Sequence, residues 1–92
     1  MFDIEKGGLH FWVLDTDKKL LIIPDLNTII VSKELLLLIR NNLTLLATYH
    51  LKKINPLDKD KALKQYFEQK GWKIQPVGSQ MYVDESGDLL LS

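Results

Sequence analysis

The chain contains no cysteine, and this absence removes several kinds of site at once. Disulfides, iron–sulfur ligation, thiolate zinc sites and cysteine nucleophiles are all excluded. A small domain without disulfides is more typical of a reducing compartment than of secretion, so we expect a cytoplasmic protein. The first eight residues, MFDIEKGG, have no basic region followed by an apolar run and therefore do not resemble a signal peptide.

Arginine is almost absent as well, since Arg40 is the single one. The 12 Lys and Arg residues balance 12 Asp and Glu residues, which gives a formal net charge of zero. Nucleic-acid binders usually carry a net basic surface, and arginine is the preferred residue for bidentate phosphate contacts. The composition therefore argues against nucleic acid as a general partner.

Long apolar runs are missing too. The longest, Leu35 to Ile39, is far shorter than the ~20 residues that a membrane-spanning helix needs. With 92 residues, of which 46% are hydrophobic, the chain can form one folded domain with a modest core. We therefore predict a single globular domain over residues 1–92 and no membrane partner.

No catalytic or ligand-binding motif is present. The sequence has no phosphate-cradling glycine loop, no HExxH zinc motif and no GxSxG nucleophile motif. We interpret His10 and His50 as ordinary strand and helix residues, and the acidic groups at 15–17, 58–60 and 84–88 as turn or helix-start residues. We therefore expect no catalytic residue, cofactor or metal, and a protein that is not an enzyme.

The most apolar stretch is residues 32–54, which the pattern predicts to be the central helix. Ser32 can cap its start, and Pro56 prevents it from continuing. Asn41 and Asn42 leave two interpretations, because asparagine is a mediocre helix former and a good cap. Either one helix of about 21 residues runs through the pair, or two short helices meet there. We favour the single helix, since its apolar rows keep phase across the pair.

The remaining elements follow from alternation and from turn residues. A second helix is predicted over 58–70, where an apolar stripe begins after Asp58 and stops at Gly71. Strands are expected at 9–14, 19–23, 28–31, 72–77, 80–83 and 89–91. Residues 1–8 are expected to be weakly ordered or paired at a sheet edge.

These elements define an α+β fold in the order β-β-β-α-α-β-β-β. The mainly antiparallel sheet consists of an N-terminal hairpin, a short third strand and the C-terminal strands, and it packs on two central helices. One sheet is favoured, although two small sheets are also compatible with the pattern.

The central helix carries more apolar surface than a small domain is expected to cover, so its surplus predicts an interface. Two overlapping rows follow helical spacing: Leu35, Ile39, Leu43, Leu46 and His50, and Leu36, Leu43, Ala47, Leu51 and Ile54. Strand alternation also places Phe11 and Trp12 on opposite faces of the sheet, so one of them points away from the core. The predicted function is a small non-enzymatic protein–protein interaction or regulatory module that self-associates through the apolar surface of the central helix, with another protein as the other possible partner. The candidate interface residues are Trp12, Phe11, Leu37, Leu45 and Tyr49.

A winged-helix-like nucleic-acid binder is the alternative. It requires the broken central helix, with pieces at 33–40 and 43–54, followed by 58–70 as a recognition helix and the next hairpin as the wing. Four lysines of that helix would face phosphates, whereas its three acidic residues and the zero net charge oppose such contacts. The wing-like pattern covers only about residues 62–85 and is too generic to indicate a family.

Overall fold

A computed structural model of the protein describes residues 1–16 and 18–77, together with the backbone of two strands at 81–83 and 89–91. The α+β class and the predicted element order are confirmed. The strands and helices are β1 (Phe2–Lys6), β2 (Leu9–Asp15), β3 (Leu20–Pro24), α1 (Lys33–Leu51), α2 (Lys59–Gln69), β4 (Lys73–Pro76), β5 (Met81–Val83) and β6 (Leu89–Leu91). A short 3-10 turn at Pro56–Asp58 leads into α2.

The strands form two sheets instead of the favoured single sheet. An antiparallel four-stranded sheet has the order β3-β2-β1-β4, whereas β5 and β6 pair only with each other in the described part of the chain. Of the C-terminal strands, β4 alone joins the N-terminal hairpin, and it does so through β1. Its register pairs Ile4 with Ile74.

The prediction of a strand at 28–31 was wrong, and a strand forms at Phe2–Lys6 instead. Residues 28–31 are β-branched, but a turn precedes them, in which the Thr28 N–H donates to the Asp25 carbonyl. Ile29 is then 92% exposed. β1, by contrast, has strand partners on both sides and buries Ile4 completely. Strand propensity is decided by such cross-strand partners more than by residue type.

A tight turn at Gly7-Gly8 joins β1 to β2, since Lys6 and Leu9 are direct cross-strand partners. Both glycines have positive φ, +56° and +84°. Two successive residues of positive φ are what a two-residue hairpin of the preferred twist requires, and glycine adopts them without steric cost. A Cβ atom at Gly8 would also lie 2.7 Å from the Cδ1 atom of Ile30.

The Gly8→Ala substitution is therefore expected to lower the free energy of unfolding by more than Gly7→Ala does, because the usual cost of a left-handed non-glycine residue, about 1–2 kcal/mol, is joined by the displacement of Ile30. Chemical denaturation measures this change. Gly7→Ala is the matched control, because no atom lies within 4 Å of a Cβ at Gly7 and only the backbone cost applies. Equal losses in the two variants would show that the Ile30 contact has no energetic weight.

The core lies between one face of the four-stranded sheet and the two helices. Strand alternation directs Ile4, Phe11 and Val13 towards the helices, and each is 0% exposed. The buried cluster is completed by residues of β3, β4 and both helices: Leu20, Ile22, Leu36, Ala47, Leu51, Ala62, Leu63, Phe67, Trp72 and Ile74. Both helices thus cover the same face of the sheet, in a two-layer arrangement.

α1 is continuous through the Asn41–Asn42 pair, as favoured from the sequence. Its start is also confirmed, since the Ser32 Oγ accepts a hydrogen bond from the Leu35 N–H at 3.2 Å.

α2 begins differently from the prediction. Asp58 occupies the cap position of α2 but makes no capping hydrogen bond through its side chain. The Asn55 side chain instead accepts from the Leu57 N–H, at the start of the 3-10 turn.

Candidate functional site

The structure separates the five residues that the sequence predicts as an interface. Phe11 is fully buried and packs edge-on against Trp72, so its prediction as an interface residue was wrong. Trp12 lies half-buried on the opposite face of the sheet. Leu37 is half-buried on the flank of α1, whereas Leu45 and Tyr49 are 69% and 63% exposed on its outer face.

The outer face of α1 carries a continuous row of large exposed side chains. Successive residues of a helix are rotated by 100°, and this rotation places the exposed side chains on the side of α1 opposite the buried Leu36, Ala47 and Leu51. We call this row the outer stripe: Leu35, Leu38, Asn42, Leu45, Leu46 and Tyr49. Apolar residues normally face the core of a small domain, so an outward row of this length is unusual.

The outer stripe follows the spacing of a helix-pairing seam. Leu35, Leu38, Asn42, Leu45 and Tyr49 are separated alternately by three and four residues, which is the heptad spacing by which α-helices pack against one another. Asn42 is the polar member at its centre. In coiled coils, a single asparagine at such a position fixes how the helices align and how many of them associate, at some cost in stability.

A second cluster lies on the opposite, outer face of the sheet, around His10. The Nε2 atom of His10 lies 2.8 Å from an Asp3 carboxylate oxygen, and its Nδ1 atom lies 2.9 Å from the Asp25 carboxylate. The Trp12 ring packs edge-on against the imidazole, with the ring centroids 4.8 Å apart. The histidine thus connects β1 to the turn that follows β3.

This arrangement changes the acid–base behaviour of His10 and Asp25. Partial burial lowers the pKa of His10, but the hydrogen bonds to Asp25 and Asp3 outweigh it, so the pKa lies above its ordinary value. The hydrogen bond from His10 lowers the pKa of Asp25. Both ring nitrogens donate to carboxylates in the protonated form, so neither is placed to act as a base in that state.

A pH dependence of stability follows from the raised pKa of His10. The folded state binds this proton more tightly than the unfolded state, so the stabilisation is complete below the unfolded pKa and disappears as the pH rises through the folded pKa. The free-energy difference between the wild type and His10→Gln should therefore be larger at about pH 5.5 than at about pH 8.5. Denaturant unfolding at the two pH values measures it.

The Asp25→Asn variant serves as the control for this assignment. Of the two hydrogen bonds that raise the pKa of His10, the one to Asp25 has the larger effect, and this variant weakens it. The pKa of His10, read from its imidazole NMR signals, should therefore fall. An unchanged pKa in this variant would contradict the geometry.

Other residues considered from the sequence have structural surroundings. The His50 ring lies 4.8 Å from that of Tyr66, and the Asp15 carboxylate lies 4.0 Å from the Lys59 amine. Asp17 and the group at 84–88 lie outside the described residues. Within the described residues, no three His, Asp or Glu side chains are arranged to hold a metal ion.

In the described part of the chain, the geometry defines a two-layer α+β domain with an exposed apolar row on its central helix. Comparison of the chain with known protein families, with curated proteins and with solved structures found no match. In the part of the chain that the structure describes, no helix is both long enough and apolar enough to cross a membrane.

Proposed function

We propose that the protein is a small, non-enzymatic interaction module of the cytoplasm that self-associates through the outer stripe of α1. The heptad spacing of exposed leucines around Asn42 carries this proposal. A helix that packs only on its own sheet needs one apolar row, and α1 has that row in Leu36, Ala47 and Leu51. The outer stripe is a second row, which suits a second helix.

The occupant of the outer stripe is a second copy of the chain, related by a two-fold axis that passes beside Asn42. Two-fold pairing is the commonest form of self-association, and it makes one surface serve both partners. With α1 helices antiparallel about this axis, Leu35 lies opposite Tyr49 of the second copy, and Leu38 lies opposite Leu46. Asn42 meets Asn42, so their amides can satisfy each other inside an otherwise apolar seam.

Charge supports the antiparallel direction. Glu34 stands at the start of α1, and Lys52 and Lys53 follow its end. Lys33 offsets Glu34 at the start of α1, so the charge argument depends on the other end: an antiparallel pair keeps Lys52 and Lys53 of the two copies apart and opposes the two helix dipoles favourably. A parallel pair would bring Lys52 and Lys53 of both copies together at one end.

The exposure of the outer stripe supports a contact with a second copy. Leu35, Leu38, Leu45, Leu46 and Tyr49 are each 44–69% exposed and adjoin one another along α1. Monomers commonly leave apolar patches of about 300–600 Å². Two such patches in contact bury about 600–1,200 Å², and the upper end of this range reaches the ~1,000 Å² of total buried area that separates specific interfaces from incidental ones.

The solution mass of the protein, measured by light scattering over a concentration series, tests self-association. The proposal predicts twice the chain mass of 10.6 kDa at high concentration, with dissociation on dilution. A constant 10.6 kDa at all concentrations up to about a millimolar, far above the Kd of a specific interface, would refute it.

The winged-helix alternative has less support. It depends on a break in the central helix at Asn41–Asn42, and α1 is continuous there. The single arginine and the zero net charge also provide few phosphate contacts. Salt-sensitive retention on duplex DNA would restore it.

A further inference from the structure

The edge of the four-stranded sheet at β3 has backbone groups available for another strand. Among the described strands, β3 pairs with β2 on one side only. The Thr16 N–H donates to the Lys19 carbonyl, and the Asp25 N–H to the His10 carbonyl. These two bonds show which residues of β3 form hydrogen-bonded pairs with β2 and which do not.

In an antiparallel pair, alternate residues direct both backbone groups at the neighbouring strand. By this pattern, Leu21 and Ile23 are the residues whose backbone N–H and C=O groups point at β2. Leu20 and Ile22 therefore direct their N–H and C=O groups outwards, away from the sheet. Edge groups of this kind are a template for an added strand.

A groove accompanies this edge. It has a cavity volume of about 230 Å³, and β3 forms one wall while the flank of α1 forms the other. Arg40, Asn41 and Thr44 line it from the helix, and residues 19–23 line it from the strand. A strand edge beside a helix is the setting in which several domains bind an extended peptide by strand addition.

Arg40 gives the groove its chemical preference. Its Nε atom is buried and has no hydrogen-bond acceptor among the described residues, and no described carboxylate forms an ion pair with its guanidinium group. The Thr44 hydroxyl donates to the Arg40 carbonyl at 2.8 Å, which holds this turn of the helix in place. Arg40 as a whole is half-buried and lines the groove, so its guanidinium group can form a strong, charge-assisted bond with a carboxylate there.

We propose that the groove between β3 and α1 binds an extended acidic peptide, which adds a strand to β3 and places a carboxylate on Arg40. The peptide backbone exchanges hydrogen bonds with Leu20 and Ile22, and its side chains alternate between the groove and solvent. The groove lies on the flank of α1, apart from the outer stripe, so this binding does not depend on the proposed self-association.

Two fluorescein-labelled heptapeptides of alternating valine and threonine, with a central glutamate or a central glutamine, test the proposal by fluorescence anisotropy. We expect the glutamate peptide to bind at least about tenfold more tightly, since a hydrogen bond to a charged group contributes about that much. Binding should slow amide hydrogen exchange at Leu20 and Ile22. Methylation of the peptide nitrogens that face β3 should abolish binding.

The Arg40→Gln variant should bind both peptides equally weakly, while Arg40→Lys, which keeps the charge but loses the planar donor fork, should recover only part of the preference. Circular dichroism verifies that both variants are folded. Equal affinity of wild type for the two peptides, or no binding of either at millimolar concentration, would overturn the proposal.

Protection of Leu20 and Ile22 that grows with protein concentration alone would also overturn it, because a second copy would then occupy the edge. The same titrations in a Leu45→Lys background separate this proposal from the outer stripe. If the variant still binds the peptide but no longer self-associates, the peptide-binding proposal is supported. If it self-associates but does not bind the peptide, only the peptide-binding proposal is refuted.

Discussion

Replacing Leu45 with lysine is expected to raise the dissociation constant of the proposed dimer by about 100-fold or more. Each copy contributes one Leu45, and burying a leucine side chain is worth about 1.5–3 kcal/mol. Two lost contacts therefore exceed two powers of ten in affinity, and the buried ammonium groups add a desolvation cost. Sedimentation equilibrium of the variant measures the change.

The folded monomer should tolerate this substitution. Leu45 is 69% exposed, and surface substitutions usually change the free energy of unfolding by less than about 0.5 kcal/mol. Leu57→Lys is the matched control, because Leu57 is 92% exposed and lies outside α1. If Leu57→Lys weakened the dimer as much as Leu45→Lys, general surface hydrophobicity would explain self-association and the outer stripe would not.

The Phe67→Ala substitution should produce the largest loss of stability, about 3–5 kcal/mol of unfolding free energy. Phe67 is 0% exposed at the end of α2, and its ring packs edge-on against Tyr66 and Trp72. Its carbonyl also accepts the hydrogen bond from the Trp72 N–H that turns the chain towards β4. Removal of the ring leaves a cavity where the helix, this turn and the sheet meet.

Denaturant unfolding followed by circular dichroism measures this loss. A domain of this size is stable by roughly 5–15 kcal/mol, so the variant should lose a large share of its stability. Leu57→Ala provides the control, since a 92% exposed leucine leaves no cavity and should cost less than about 0.5 kcal/mol. A cost below about 1 kcal/mol for Phe67→Ala would mean that this part of the core is not packed as described.

Local signals in the sequence predicted the helices well. Ser32 and Pro56 bracket α1, and Gly71 ends α2 with a positive φ of +87°, as its position suggests. These features depend on a residue and its nearest neighbours along the chain. The alternation of Phe11 and Trp12 was equally local, and it correctly required one of the two to face away from the core.

The orientation of α1 could not be predicted from its sequence. Two apolar rows share the helix, and periodicity alone does not say which row meets the sheet. The structure buries the row of Leu36, Ala47 and Leu51, and leaves Leu35 and Leu46 of the other row exposed. The heptad spacing around Asn42 was present in the sequence, but it becomes informative only once that face is known to point outwards.

Strand partnership was the other feature beyond local reasoning. β1 forms because β2 and β4 flank it, and β4 is about 70 residues away along the chain. The His10 cluster depends on the same partnership. Asp3 reaches the imidazole only because β1 pairs with β2, and Asp25 reaches it from the turn after β3.

The most direct test of the central claim uses the natural absence of cysteine, which allows single cysteines to report on contacts between copies. Asn42→Cys should form an intermolecular disulfide under mild oxidation, because the proposed two-fold axis brings these positions together. Leu35→Cys should not, since in the antiparallel pair its two copies lie about 20 Å apart at 1.5 Å per residue, far beyond disulfide reach. Cross-linking of both variants would contradict the antiparallel arrangement. Cross-linking of neither, in protein that still forms dimers, would contradict the claim that the outer stripe is the interface.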